Sequence, residues 1–590
     1  MKIKINRNIL WSETFVKELA SLGVKYASLS PGSRNTPLTY AFAKNKKIRS
    51  FIHIDERSSG FFALGLAKAS GTPVAIVCTS GTATAELYPA IIEAYQQRVP
   101  LIVCTADRPP ELLDRGANQT INQNNIYKNH IRSFIDAGLP VLSVAKIKHI
   151  KEVAQKAVLE STLKSRGPVH LNFPFRKPFE PKTFTDEIDE EILNFARQKT
   201  NNKEIVLNSV EKDITGLKWF KEIVDRIKKS KHGLIIAGPE NYNPSFLINC
   251  QKLSKRLGYP ILADGTSQLR SGKHQKDNII TTYDAFLRST SFAKDHRPEI
   301  ILQFGRTITS KGLDTFLEHC DAPRFMINDY GDWFDPADKA IGAYACKPYL
   351  FCEKILEAVG NGYNENQISD WLLSFKNAES VSLKLKKEII DNSKFPNEGR
   401  IINEVLTAVP DDCRIMLSNS MPVRDFDYFA SNTDKKIIIY NNRGASGIDG
   451  ITSTALGIAA ASKKPTVLIT GDMAFYYDLN GLLAAKNYNI PLIVVLINNN
   501  GGGIFEILPI SNYPDVFKKY FIVPHNLDFS KFVYAYNGKY KNVRSWNDLT
   551  RSLSSALNAD KFSVLEIKTS ASESLKIRRN FWQTVSKKLG

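Results

Sequence analysis

The most restrictive stretch of the chain runs from Thr470 to Pro509, TGDMAFYYDLNGLLAAKNYNIPLIVVLINNNGGGIFEILP. An apolar run, Thr466 to Ile469, stops at Gly471-Asp472, and a helix is expected from about Asp478 to Asn487. A second apolar run, Pro491 to Ile497, stops at Asn498-Asn499-Asn500 and three glycines. The pattern reads strand, helix, strand. A crossover of that kind lays the strands parallel, with their carboxyl ends side by side at the edge where open α/β sheets bind ligands. Asp472 and Asn499, 27 positions apart, then converge. A carboxylate, an amide oxygen and the backbone carbonyl of Gly501 form an all-oxygen donor set that suits Mg²⁺ and leaves positions open for a phosphate-bearing partner. Taken alone, Gly-Asp also fits a turn and the Asn run a polar loop. The rest of the chain has to decide.

At 590 residues the chain has room for roughly three to four domains. Its apolar runs are strand-sized, far below the ~20 residues of a membrane helix. The opening MKIKINRNILWSETF holds no apolar segment of signal-peptide length. The seven cysteines are scattered and form no CxxC pair, so reduced thiols in a cytoplasm are expected rather than disulfides or a zinc site. A net charge of +19 raises nucleic acid as a partner. Lys and Arg are spread along the chain, however, without a basic tail or an RNA-binding signature, and short clusters such as Lys228-Lys229 read as solvated helix ends. Anionic small molecules, and neither nucleic acid nor membrane, are the expected partners.

A first domain is expected over 1–182. It opens with an amphipathic helix, capped by Ser12 and stopped by Gly23, with Phe15, Val16, Leu19 and Leu22 on one face. Strand Tyr26 to Leu29 runs into Ser30-Pro31-Gly32-Ser33-Arg34, which lifts a hydroxyl and a guanidinium off a strand end. Phe51 to Ile54 reads as strand and Ser58 to Ala69 as a helix rich in small residues, with Glu56 at the junction. By itself Glu56 also fits a helix-start carboxylate favoured by the macrodipole. Strand Val74 to Cys78 leads to Thr79-Ser80-Gly81-Thr82, a helix start whose free amides suit an anion. After strand Leu101 to Thr105 comes ADRPPELLDRGANQTINQ, a long polar loop holding Arg108 and Gln119. Glu180 to Lys203 reads as a polar linker. A middle domain over 204–360 carries GRTITSKG, which presents Arg306 and Lys311. Asn361 to Ser374 reads as a second linker. In a third domain, 375–590, strand ends carry Ser418-Asn419-Ser420 up to Arg424, the loop Asn441 to Gly450, Gly471-Asp472, and Asn498 to Gly503. The fold class is therefore α/β, three doubly wound parallel-sheet domains. The first and third share one grammar, as duplicated cofactor-binding halves would.

Together, SPGSRNTPL, HIDERSSGFFALGLAK, TSGTATAELYPA, TADRPPELLDRGANQTINQ, NSMPVRDFD, NNRGASGIDG and the GDM…NNNGGG stretch resemble the 2-succinyl-5-enolpyruvyl-6-hydroxy-3-cyclohexene-1-carboxylate synthase family of thiamine-diphosphate enzymes. The resemblance spans essentially the whole chain in motif order, strongest in the first and third domains and weak in the middle one. Met473 stands where the diphosphate-anchoring motif usually continues Gly-Asp-Gly; the metal ligands are intact. The resemblance implies pyrimidine-binding, central and diphosphate-binding domains, and an active site shared between the subunits of a homodimer, with pairing into tetramers left open. It implies thiamine diphosphate with Mg²⁺ or Mn²⁺. The metal ligands would be Asp472, Asn499 and Gly501, and the cofactor would lie against Glu56, Ser80, Gly81, Ile448, Gly471, Asp472, Asn499, Ile504, Phe505 and Leu508. Glu56 falls on the catalytic glutamate, which hydrogen-bonds the aminopyrimidine so that the cofactor's own nitrogen can remove its reactive proton. Ile448 would hold the cofactor bent.

The implied reaction is decarboxylation of 2-oxoglutarate and addition of the resulting carbanion to isochorismate, a step of menaquinone biosynthesis. Both substrates are dicarboxylates, which planar guanidinium forks match bidentately. By motif position Ser33, Arg34, Arg108, Gln119, Lys311, Ser420, Arg424 and Arg443 would line the pocket, although Arg34 and Arg443 taken singly also fit structural ion pairs. Two other readings stay open. Another thiamine-diphosphate decarboxylase or acetohydroxyacid synthase-like carboligase would not need so many cations. A non-catalytic basic binding protein of the same fold would not need Glu56, Asp472 and Asn499.

Overall fold

The structure, a computed structural model, describes residues 2–163, 165–198, 213–360 and 369–589. Parts of both expected linkers, 199–203 and 361–368, lie outside them. Three six-stranded sheets organise the chain, and every strand pair recorded within them is parallel. The first sheet runs Arg49–Ile52, Tyr26–Leu29, Val74–Cys78, Leu101–Asp107, Val169–Pro174, Phe134–Asp136. The third runs Ile437–Asn441, Cys413–Leu417, Thr466–Gly471, Ile493–Asn498, Ser563–Lys568, Lys539–Asn542. Numbered along the chain, both have the order 2-1-3-4-6-5, so the shared grammar extends to topology. The middle sheet instead has the doubly wound order 3-2-1-4-5-6. Its inner strands are fully buried runs such as Gly233–Ala237 and Ile300–Phe304, as a sheet covered on both faces requires.

Local signals misplaced several boundaries. The first helix spans Arg7–Ser21 and is capped by Asn6, whose side chain accepts from the amides of Asn8 and Ile9. Ser12, expected to cap it, is buried within the helix. Asn6 is the stronger cap because its amide also donates to the carbonyls of Pro178, Glu180 and Thr183, pinning the helix start to distant chain. The stretch read as a polar linker is structured in its described part. Asp186–Asp189 pairs antiparallel with Lys2–Ile5, and helix Glu190–Arg197 buries Leu193 and Ala196 in the first domain's core. Two apolar side chains on one helical face sufficed, a signal hidden by the five acidic residues from Asp186 to Glu191. Helix Asp370–Lys386 starts inside the second expected linker and packs Trp371, Phe375 and Ala378 beside Leu234 and Ile236 of the middle sheet.

Helix Glu56–Ser70 of the first domain lies against helix Ile451–Ser462 of the third, within one shared apolar core. Glycines let their backbones meet. A Cβ on Gly65 would stand 2.1 Å from the Thr454 carbonyl oxygen, and one on Gly457 2.1 Å from that of Phe62. Gly457→Val is therefore expected to destabilise the fold by at least about 1–3 kcal/mol through overpacking, read as a lower urea midpoint. This crossing sets where Glu56 sits.

Two buried histidines add a pH dependence. His53 packs on Phe62, ring centroids 4.6 Å apart, and burial lowers its pKa to about 4. The same cause takes His170 to about 3. Both stay neutral in the folded state while the unfolded chain takes up protons near pH 6.5. Their contribution is thus complete above pH 6.5 and is lost as pH falls through 6.5 toward 4. The limiting slope is about 1.4 kcal/mol per pH unit for each. Urea midpoints measured from pH 7.5 down to 5 should fall, and less steeply in His53→Gln.

Candidate functional site

Strands Thr466–Gly471 and Ile493–Asn498 are parallel neighbours, with Gly471 opposite Ile497. Asp472 and Asn499 therefore leave adjacent strand ends, as their spacing requires. The first helix of the crossover begins at once, Asp472–Tyr477, and a second covers Leu482–Tyr488, rather than one helix from Asp478. Asp472 is buried; its Oδ1 accepts from the Met473 amide at 2.7 Å, and its Oδ2 from the Gly501 amide at 3.0 Å. Burial raises its pKa, and these hydrogen bonds oppose the rise. Gly501 is at φ 139, and a Cβ there would meet the Ile522 carbonyl oxygen at 2.1 Å, so glycine is required. Its carbonyl accepts from the Gly503 amide at 2.9 Å, which leaves one lone pair.

Asn499 donates through Nδ2 to Glu398 at 3.2 Å, while its Oδ1 is buried without a hydrogen-bond partner. This acceptor is open to a ligand. Beside Gly471 a Cβ would find nothing within 4 Å, so there is open space at the strand end. Carboxylate, amide oxygen and carbonyl fit a hard divalent cation. His525 also touches this centre: its Nε2 stands 3.1 Å from Asp472 Oδ2, and its Nδ1 accepts from the Leu527 amide at 3.0 Å, so the proton sits on Nε2. No motif flagged His525. It lies in YFIVPHNLDF, where a lone histidine in a loop gives no periodic or spacing signal.

Glu56 is the first residue of its helix, two residues earlier than the expected start, because Asp55 caps it by accepting from the Ser58 amide at 3.2 Å. The Glu56 carboxyl is half-buried. Burial raises its pKa, and Asp55 and Glu86 push the same way. Its neighbours reach the third domain of the same chain: Arg57 donates to the Tyr477 carbonyl at 2.9 Å, Ser58 to Asp478 at 3.2 Å, and Asn480 to Asp55 at 2.9 Å. Ile448 is half-buried against the same core. The Gly81 amide is not free for an anion. It donates to Gln123 Oε1 at 3.0 Å, a partner the polar loop supplies from 42 residues downstream. Gln119, exposed at φ 53, passes its backbone beside Gly81.

The basic residues form pairs. Arg34 and Arg108 are both buried; desolvation first, and then the Arg108 charge, lower the Arg34 pKa to about 10. Arg34 donates to the Phe175 carbonyl at 2.7 Å and lies over the Phe179 ring; Arg108 donates to Ser80 Oγ and to the Asn118 carbonyl. Asp107 is the carboxylate near both, so cationic charge is in excess. Ser33, one residue before Arg34, is exposed. In the third domain Arg424 donates to the Ser420 carbonyl at 2.6 Å, from a residue at φ 72. Arg443 lies near Arg424, and burial lowers its pKa, opposed by Asp264, Asp427 and Glu93. Lys311 does not join these pairs. It starts helix Lys311–Glu318, is exposed, and binds Asp314 at 2.7 Å and Glu318 at 3.5 Å on that helix. Ile504 and Phe505 are half-buried on the turn Gly503–Ile507, and Leu508 is 46 % exposed just after it.

A cavity of about 520 Å³ opens elsewhere, between the three domains, lined by Lys68, Arg98, Arg306 and Asp332 among others and by none of the expected site residues. The residues expected to carry chemistry sit instead at strand ends and helix starts.

Residues 11–126 match the thiamine pyrophosphate enzyme N-terminal TPP binding domain, 218–416 the middle domain of thiamine pyrophosphate enzymes, and 426–567 the C-terminal TPP binding domain. A 2-succinyl-5-enolpyruvyl-6-hydroxy-3-cyclohexene-1-carboxylate synthase of Haloarcula marismortui is 37% identical over 99% of this chain and 99% of its own. One of Bacillus cytotoxicus is 36% identical over 96% and 95%. The chain belongs to this synthase family. The fold of the synthase family is shared more widely. A Rhodococcus jostii RHA1 thiamine diphosphate-dependent 4-hydroxybenzoylformate decarboxylase superposes with a TM-score of 0.68 over 95% of this chain and 99% of its own, at 15% identity. Among the described residues no helix is long and apolar enough to cross a membrane.

Proposed function

We propose that the chain catalyses thiamine-diphosphate- and Mg²⁺-dependent decarboxylation of 2-oxoglutarate and addition of the remaining four-carbon unit to isochorismate, in menaquinone biosynthesis in the cytoplasm. The cofactor, when bound, supplies the nucleophilic carbon and the electron sink. This chain's residues do the rest. Asp472, Asn499 and the Gly501 carbonyl hold the cation, and Glu56 carries a hydrogen bond to the aminopyrimidine. Ile448, Ile504, Phe505 and Leu508 provide apolar walls. The observation that carries the substrate assignment is the excess of buried guanidinium over carboxylate at Arg34–Arg108, with half-buried Arg424 and Arg443 as a second pair of cations. A monocarboxylate donor and an aldehyde product would leave such cations unpaired at a desolvation cost. Ser33, Gln119 and Ser420 complete this pocket; Lys311, turned to its own helix, is the weakest member of the set.

The active enzyme is a homodimer whose sites are completed across subunits. Ile52 and Ile54 beside Glu56, and Tyr476, Tyr477 and Leu508 around the metal edge, are 43–73% exposed in one chain, an apolar surface that a second copy would cover. Domain limits of 1–182, 204–360 and 375–590 are revised in this reading: the first unit reaches at least Arg197, and helix Asp370–Lys386 packs between the middle and third units. The test is direct. Enzyme, Mg²⁺, thiamine diphosphate, 2-oxoglutarate and isochorismate should together consume isochorismate and release CO₂, with no consumption when any one is omitted. Acetolactate or an aldehyde formed from pyruvate, with isochorismate untouched, would overturn the assignment.

A further inference from the structure

A second set of buried residues stands behind the orphaned oxygen of Asn499. Glu398 begins helix Glu398–Ala408, Asp425 lies on helix Met421–Phe429 and Arg578 on helix Ala571–Leu589; all three are at most 3% exposed. Glu398 Oε1 accepts from Asn499 Nδ2 at 3.2 Å and from Thr569 Oγ1 at 2.8 Å. Its Oε2 accepts from Arg578 Nη2 at 2.7 Å. The same guanidinium grips Asp425 with two bonds, Nε to Oδ1 at 2.8 Å and Nη2 to Oδ2 at 2.6 Å. Charge alone does not place such a network in a core, since buried ion pairs are weak contributors to stability. This one ends on a polar atom with no partner.

We propose that Glu398, locked by Arg578 and Thr569, is the positioning residue that fixes the Asn499 amide so that its oxygen is free for the divalent cation. An amide has a donor end and an acceptor end, and a carboxylate only accepts. A held carboxylate on the Nδ2 side therefore decides which end of Asn499 is left over. Without it the side chain can rotate and present Nδ2, which repels a cation. Arg578 extends the restraint to helix Met421–Phe429, which carries Arg424, so the metal edge and one of the basic pairs share a buried clamp. The inference rests on the metal-dependent cofactor reading above.

The test is Glu398→Gln in the full chain. The readout is the Mg²⁺ concentration giving half-maximal thiamine diphosphate binding, followed by tryptophan fluorescence without turnover. An outer-shell partner of this kind is worth roughly 10–100-fold in metal affinity, so the half-saturating Mg²⁺ should rise at least about tenfold. Turnover at saturating Mg²⁺ should stay near that of the parent. In an Asn499→Ala background, Glu398→Gln should add no further shift, because Glu398 acts through that amide. A lower melting temperature with unchanged Mg²⁺ half-saturation, or shifts that add in the double variant, would overturn the proposal. If Glu398→Gln does not fold, Thr569→Val, which removes one donor to the same oxygen, should raise half-saturation by about threefold; no change would be equally fatal. Absence of Mg²⁺-dependent cofactor binding in the parent protein would instead sink the functional reading itself.

Discussion

Glu56→Gln is expected to leave Mg²⁺-dependent binding of thiamine diphosphate nearly unchanged while turnover falls about a hundred- to ten-thousandfold, the usual worth of a placed acid–base group. Glutamine preserves the shape and a hydrogen-bonding oxygen at the helix start, so the crossing with helix Ile451–Ser462 is untouched. What it removes is the ionisable carboxylate that accepts and returns a proton. That carboxyl is half-buried and sits with Asp55 and Glu86, which together hold its pKa above the ordinary glutamate range. The raised value sets the sign of a second readout. In the parent enzyme the acidic limb of the rate profile should lie above the ordinary glutamate pKa, and in Glu56→Gln that limb should vanish. Steady-state rates across pH, with cofactor affinity measured in parallel, check both. Undiminished turnover in the variant would remove Glu56 from the chemistry and return it to a helix-start carboxylate.

What the sequence made legible, it did through strand ends. Fully apolar strands stopping at Gly471-Asp472 and at Asn498 to Gly503 can only meet edge to edge in a parallel sheet, and they do. The twin strand orders of the first and third sheets follow from the same alternation. What stayed hidden depends on pairing over long separations. His525 on Asp472, Gln123 on the Gly81 amide, Asn6 on Pro178 and Thr183, and Arg578 on Glu398 are each single polar residues in stretches without periodicity. Nothing local marks their partners. Helix Glu190–Arg197 was hidden differently: its acidic composition masked two inward apolar residues, Leu193 and Ala196, and tertiary burial overrode local polarity. Lys311 shows the converse, a cation placed by a family pattern that pairs with carboxylates on its own helix.

The largest effect on binding is expected at Asp472. Of the three oxygen donors at the metal edge it supplies the one carboxylate. Its Oδ2 is also the point where the Gly501 amide and His525 Nε2 converge. Asp472→Ala removes the charge that attracts the cation and the acceptor that holds the Asn499–Gly501 loop against the strand end. The loss should exceed the roughly hundredfold limit of an outer-shell partner, so cofactor affinity should become nearly independent of Mg²⁺. The folded chain should survive, because burial already disfavours the Asp472 charge in the absence of a cation. Its removal costs hydrogen bonds worth about 0.5–1.5 kcal/mol each and no core volume. Two measurements separate these effects. Calorimetric titration of thiamine diphosphate with and without Mg²⁺ reads the binding. The melting temperature reads the fold: saturating Mg²⁺ and cofactor, worth about 2.7 kcal/mol at a hundredfold excess over Kd, should raise it in the parent and leave it unmoved in Asp472→Ala. A variant that still gains stability from the pair would place the cation elsewhere, and with it the convergence of Asp472 and Asn499 would lose its meaning.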